Sequence, residues 1–79
     1  MNVKIEFMGS LRRPNNIDRI TKFNIPENCT LKELFIILEY SSEEILRLQA
    51  FLKDGSRLTL KDILHENDSL FITIPIGGG

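Results

Sequence analysis

The chain has 79 residues, which is the size of one small domain. Hydrophobic residues make up 42% of it and charged residues 27%, the proportions of a folded globular protein rather than of a disordered segment. Ten basic side chains against eleven acidic ones leave a net charge of −1. This balance argues against a nucleic-acid partner, because small domains that bind polyanions are normally basic.

The counts of cysteine and histidine restrict metal and redox chemistry. Cys29 is the single cysteine and His65 the single histidine, so neither an internal disulfide nor a bound metal is expected. The longest apolar run, residues 34–38, is too short to cross a bilayer, and the N-terminus lacks the pattern of a signal peptide. We therefore expect a cytoplasmic protein that has no membrane partner.

The first 25 residues predict a β-hairpin. Val3, Ile5 and Phe7 alternate with polar residues over positions 2–8, which is typical of a half-buried strand. A loop rich in Gly, Pro and Asn follows. A second strand is expected over 18–25, rich in β-branched and aromatic residues.

Residues 31–40 predict a helix. Thr30 and Glu33 have the spacing of a capping box, and the apolar residues repeat at helical intervals: Leu31, Leu34, Phe35 and Leu38. Cys29 and Leu34 fall at the two positions of a hydrophobic staple, which predicts a buried thiol. The alternative is a reactive thiol with a lowered pKa near a helix N-terminus.

The second half of the chain predicts a short turn followed by three strands. Residues 41–44 are expected to form one short extra turn, and alternation over 46–53 predicts a third strand. Asp54-Gly55 is typical of a tight turn before a fourth strand at 57–59. Residues 59–62 predict a single turn, 65–68 a polar loop and 70–76 a last strand. The expected fold is α+β, with one main helix packed across one face of a mixed sheet of four to five strands.

Strand alternation also predicts which side chains point away from the helix. The residues expected to face the core are Val3, Ile5, Phe7, Leu48, Leu52, Leu70, Ile72 and Ile74. Those expected on the other face or at its edge are Met8, Phe51, Phe71, Thr73, Pro75 and Ile76. If the first, third and fifth strands are neighbours, these residues form a cluster that favours a partner-docking face. The alternative is a scatter of surface apolar residues, which is common.

Three glycines, Gly77, Gly78 and Gly79, directly follow the last strand. One interpretation is an ordinary frayed chain end. The other is a flexible tail on a firmly held root, able to enter a narrow site on another protein because glycine has no Cβ. Its terminal carboxylate is ionised at neutral pH. Such a carboxylate can attack the α-phosphorus of ATP to form an acyl-adenylate.

Four segments of the chain resemble the MoaD/ThiS family of ubiquitin-like sulfur carriers, which includes the small subunit of molybdopterin synthase. They are residues 7–12, residues 25–34, residues 66–70 and the ending Pro75-Ile76-Gly77-Gly78-Gly79. The ending is the specific one, whereas the others are scaffold features. The resemblance implies a β-grasp domain over 1–76 and a tail over 77–79.

The resemblance also implies a function. A ubiquitin-activating-type enzyme that uses ATP and magnesium would adenylate Gly79, and a persulfide would then convert it to a thiocarboxylate. Gly77 and Gly78 would provide clearance. The large subunit of a synthase would receive the sulfur for cofactor biosynthesis, with molybdopterin favoured and thiamine next. The chain itself would bind no cofactor and would not be an enzyme.

Two other functions stay open at this point. The chain is a covalent protein modifier if Gly79 ends on a target lysine. It is a non-covalent interaction module if only the sheet face is used. A stand-alone enzyme is the least favoured class, because the sequence shows no acid–base pair and no activated nucleophile.

Overall fold

The computed structural model describes residues 1–9, 11–14 and 17–75. Two strands, two helices and three further strands follow one another along the chain. In order they are β1 (Asn2–Phe7), β2 (Ile20–Asn24), α1 (Leu31–Ile37), α2 (Ser42–Arg47), β3 (Gln49–Leu52), β4 (Arg57–Leu58) and β5 (Ser69–Thr73).

The strands form one mixed sheet in the order β2-β1-β5-β3-β4. β1 and β5 pair in parallel at its centre, and the other neighbouring pairs are antiparallel. The predicted hairpin of the first two strands is confirmed, as is the predicted adjacency of the first, third and fifth strands. The number of strands lies at the upper end of the expected range.

The core lies between the sheet and the two helices. Every strand residue predicted to face it is buried or packs against it, with Leu52 and Ile74 only partly buried. α1 contributes its predicted apolar side chains, and Leu38, directly after the helix, is buried beside them. Alternation therefore predicted the inward face of β1, β3 and β5 correctly.

The start of α1 is held by the predicted capping box and by a later segment of the chain. The Thr30 hydroxyl accepts a hydrogen bond from the Glu33 N–H at 3.2 Å, and the Glu33 carboxylate accepts one from the Thr30 N–H at 3.0 Å. The N–H groups of residues 31 and 32 donate to the carbonyl oxygens of Asp62 and Leu60. The first turn is thus fully hydrogen-bonded within the protein.

α1 ends at Ile37, three residues before the predicted end. Glu39 adopts a left-handed conformation with φ of 65°, its N–H donates to the Ile36 carbonyl, and the Tyr40 N–H donates to the Phe35 carbonyl. This is a Schellman motif, which closes a helix and reverses the chain. The Tyr40 and Phe35 rings then meet edge to face. This helix end could not be predicted from the sequence, because glutamate rather than the usual glycine occupies the left-handed position.

The expected extra turn at 41–44 is a complete second helix, and the predicted start of the third strand at Leu46 was wrong. The Ser41 hydroxyl accepts from the Glu44 N–H, and the Glu44 carboxylate accepts from the Ser41 N–H, so a second capping box starts α2. The strand begins only at Gln49. Alternating leucines were compatible with both structures, and the local cap favours the helix.

The remaining strands are shorter than predicted at one or both ends. β2 begins at Ile20 rather than 18, β4 ends at Leu58, and β5 ends at Thr73 rather than 76. The predicted tight turn after β3 is present. Gly55 adopts φ of 92° there, a conformation that residues with a Cβ rarely take.

Replacing Thr30 by Ala should lower the free energy of unfolding by about 1 kcal/mol, because the cap of α1 loses the hydroxyl that accepts the Glu33 N–H. Urea unfolding followed by circular dichroism measures this. Thr30→Ser keeps the hydroxyl and serves as the control. Equal loss of stability in both variants would show that the cap contributes little.

Candidate functional site

The site begins where β5 leaves the sheet. β5 lies between β1 and β3, pairing with both, and the Met8 N–H donates to the Ile72 carbonyl at 2.8 Å. Thr73 is still paired with Gln49 of β3. The chain therefore leaves the sheet from a strand that is held on both sides, but this strand ends at Thr73, so the expectation that the glycines follow it directly was wrong.

The four residues Ile76, Gly77, Gly78 and Gly79 lie outside the described residues. The predicted roles of the Gly79 carboxylate and of the two preceding glycines therefore stay predictions. Pro75, the last described residue before them, is exposed.

Two other segments reach the same end of the sheet. Because β1 runs parallel to β5, the loop after β1 starts beside the end of β5. Because β3 runs antiparallel to β5, the end of α2 and the start of β3 also lie here. The surroundings of the tail root are thus set by the loop after Phe7 and by α2.

Arg12 fastens that loop to α2. Its Nε donates to Glu44 Oε2 at 3.0 Å and its Nη2 to Glu44 Oε1 at 2.9 Å, a bidentate ion pair. The guanidinium carbon lies 5.1 Å from the centre of the Tyr40 ring. The Tyr40 hydroxyl in turn donates to the Arg12 carbonyl at 2.7 Å. Side chain and backbone of Arg12 are therefore both held.

The electrostatics of this cluster favour one protonation state. Hydrogen bonds from Arg12, and then from the Ser41 backbone, lower the pKa of Glu44 to about 2. Burial raises the pKa of Tyr40 to about 12. At neutral pH the carboxylate is ionised and the phenol is a neutral donor, so both contacts with Arg12 are present.

The Arg12–Glu44 pair should make stability depend on acid. Because the pKa of Glu44 is lowered in the folded state, its ionised form stabilises the protein at pH values above its ordinary pKa of 4.5. This stabilisation is lost as the pH falls towards 2. Glu44→Gln should unfold at lower urea than the wild type at pH 7 and lose less between pH 4.5 and pH 2. Urea midpoints across this range test it.

Glu43→Gln is the matched control, since the exposed Glu43 side chain on the same helix makes no ion pair among the described residues. The same shallow pH dependence in both variants would contradict the assignment to Glu44.

Three of the predicted docking residues, Phe51, Phe71 and Thr73, share one sheet face. Phe51 and Phe71 are direct cross-strand partners, both half-buried, on the side away from the helices. Thr73 follows on the same side of β5, and Met8, 38% exposed, lies beyond the end of β1. The grouping agrees with strand alternation, while a docking role for it stays a prediction.

The sequence reasoning overlooked the polar residues of that face. Lys4 and Lys22 are cross-strand partners on it, and Ser69 pairs with Lys4 from the other side. Lys53, directly after β3, lies beside Ser69. The alternation of β1 already indicated polar residues on this face, because its even-numbered positions are polar. The prediction for this face used only its apolar residues.

The single cysteine is buried, whereas the single histidine is exposed. Cys29 is 2% exposed, and burial raises the pKa of its thiol, so the alternative of a reactive thiol was wrong. His65 is exposed, with Nδ1 3.8 Å from Asp68 Oδ2. Among the described residues no three potential ligands are grouped to hold a metal ion. Nor does any helix in this part of the chain have the length and apolar character to cross a membrane.

No protein-family model and no curated protein matches this chain. A solved structure does: SAMP1 from Haloferax volcanii, with a TM-score of 0.74 over 100% of both chains at 12% sequence identity. The fold is a ubiquitin-like β-grasp. At this identity the likeness shows the fold alone, so it confirms the expected architecture and does not separate the MoaD/ThiS family from other ubiquitin-like proteins.

Proposed function

We propose that this protein is a sulfur carrier of the MoaD/ThiS type, with the Gly79 carboxylate as its reacting group. One observation supports this above the others. In the sequence, three glycines begin four residues after Thr73, the last residue of a central β-grasp strand that both its neighbours hold. Glycine backbone passes through a slot that a Cβ would block.

The chemistry takes place on the terminal carbonyl. A carboxylate oxygen attacks the α-phosphorus of ATP in an activating partner, and pyrophosphate leaves. The terminal sulfur of a persulfide then attacks the carbonyl carbon and AMP leaves. A thiol finally cleaves the sulfur–sulfur bond, which releases the thiocarboxylate. The partner supplies ATP, magnesium and sulfur.

The groups at the tail root are structural in this proposal. The Arg12 guanidinium is occupied by Glu44, and the Tyr40 hydroxyl by a backbone carbonyl. Both fix the loop beside the root. The chain acts as a co-substrate rather than as a catalyst, and a synthase large subunit that makes molybdopterin, or next thiamine, is its proposed acceptor.

Incubation with a cognate activating enzyme, ATP, magnesium and a sulfur donor should raise the intact mass by one oxygen-to-sulfur exchange, located on the terminal residue by fragmentation. Deletion of Gly79 should abolish the mass increase. Gly78→Val should slow the reaction, because its Cβ and methyl groups would hinder entry of the tail into a narrow site. An unchanged mass, under conditions that convert a control carrier, would overturn the proposal. Conjugates on target lysines that require Gly79 would instead identify a protein modifier.

The aromatic pair on the open sheet face should decide how well the activating partner binds. Phe51→Ser or Phe71→Ser should raise the KM for this protein at least about tenfold, since buried aromatic residues dominate interfaces. Ile37→Ser is the control, because Ile37 is 42% exposed on the helical side. Circular dichroism checks that each variant is folded. If Phe51→Ser, Phe71→Ser and the control Ile37→Ser all had the same KM, this face would be excluded from docking.

A further inference from the structure

Three lysines and a serine lie in a line across four neighbouring strands on the sheet face away from the helices. We name Lys22, Lys4, Ser69 and Lys53, in that order, the lysine row. Lys22 and Lys4 are cross-strand partners, Lys4 pairs with Ser69, and the Lys53 N–H donates to the Ser69 carbonyl at 3.1 Å. With strands about 4.8 Å apart, the row is about 14 Å long.

The arrangement costs stability. Cross-strand partners bring their Cβ atoms within about 5 Å, and like charges in that relation repel. None of the three lysines makes an ion pair among the described residues. Glu6 is the only acidic residue at the described strand positions of this face, and its cross-strand partners are Ile20 and Phe71. Within the part of the chain that the structure describes, this positive charge therefore has no ion-pair partner.

Two shallow hollows flank Lys4 and contain hydrogen-bond donors. One is lined by Asn2, Val3, Lys4, Lys22, Asn67 and Ser69. The other is lined by Lys4, Lys53, Ser69, Glu6 and Phe71. Ammonium groups, a hydroxyl and amides are what a carboxylate needs to replace its water.

We propose that the lysine row binds an acidic segment of a partner protein in extended conformation. Alternate residues of such a segment are about 6.6 Å apart on one side, so acidic residues at three alternate positions span about 13 Å, close to the length of the row. The row adjoins the Phe51–Phe71 pair, and a polar rim beside an apolar centre is the usual arrangement of protein interfaces. The net charge of −1 disfavours a nucleic acid, which would be repelled by the chain as a whole.

This surface is separate from the sulfur-carrier proposal. Ser69 is the first residue of β5, whereas the glycines begin four residues after its last residue, Thr73. Binding at the row needs neither Gly79 nor its activation, so either proposal can fail without the other.

The test uses the full chain labelled with ¹⁵N and the peptide Glu-Val-Glu-Val-Glu at low ionic strength. Amide shifts should change at the lysine row and Phe71, and the affinity should fall with added salt. Lys22→Glu should weaken binding about tenfold, because it places a carboxylate opposite Lys4. The same substitution should raise the urea midpoint, since it converts a repulsive cross-strand pair into an attractive one.

Lys61→Glu is the matched control, because the exposed Lys61 lies outside this face and undergoes the same charge change. It should leave the affinity within about twofold of the wild type. Removal of Gly78 and Gly79 should leave it unchanged.

Several outcomes would overturn the proposal. They are the absence of binding, shifts centred elsewhere, and equal weakening in Lys61→Glu and Lys22→Glu. Tighter binding of a thymidine oligonucleotide at the same residues would also overturn it, because it would assign the row to single-stranded nucleic acid.

Discussion

β1 and β5 pair in parallel at the centre of the sheet, and every other strand is placed outward from this pair. Val3, Ile5, Leu70 and Ile72, on these two strands, are at most 1% exposed. The pair joins residues 2–7 to residues 69–73, so the sheet closes only when distant parts of the chain meet. Such long-range pairing carries a loop-closure cost that the burial of the apolar side chains must offset.

The packing around this strand pair also determines which side of the sheet is open to partners. The helix α1 covers one side of it, and the N–H groups of the first turn of α1 are taken by Thr30 and by the carbonyls of the 60–62 segment. A helix start with free N–H groups attracts anions, but this one has none left in its first turn. Cys29, just before it, is buried. The sheet face away from α1 is the side of this strand pair that stays open to partners.

The sequence predicted correctly those features of the fold that depend on a few adjacent residues. Alternation predicted the inward face of three strands, and the Thr30–Glu33 spacing predicted the start of α1, because both rest on a few adjacent residues. The end of α1 was missed because Glu39 takes a conformation usually left to glycine or asparagine. Residues 46–47 were misassigned because a period of two and a short helix both fit them.

The candidate site also has features that local sequence signals predict and features that depend on long-range pairing. The aromatic pair could be predicted from residue type and strand alternation, whereas the glycine tail stays a prediction. The lysine row depends on the register of β1 against β2, which puts Lys4 opposite Lys22. A long loop joins these strands, and unlike a two-residue turn, a long loop does not fix the register. A shift by one residue would have put Lys22 on the core side.

Taken together, the two proposals separate reactivity from recognition. Glycines carry no side chains, so a tail of three glycines gives a partner little by which to distinguish this protein from another with the same ending. Discrimination must then come from side chains held at fixed positions, and the open face has these: an aromatic pair at its centre and lysines along one line. Ser69 and Thr73 are the two ends of β5, about 13 Å apart. A partner that covers β5 from end to end therefore contacts both the lysine row and the aromatic pair. Exchanging these side chains should change the choice of partner while the tail chemistry stays the same.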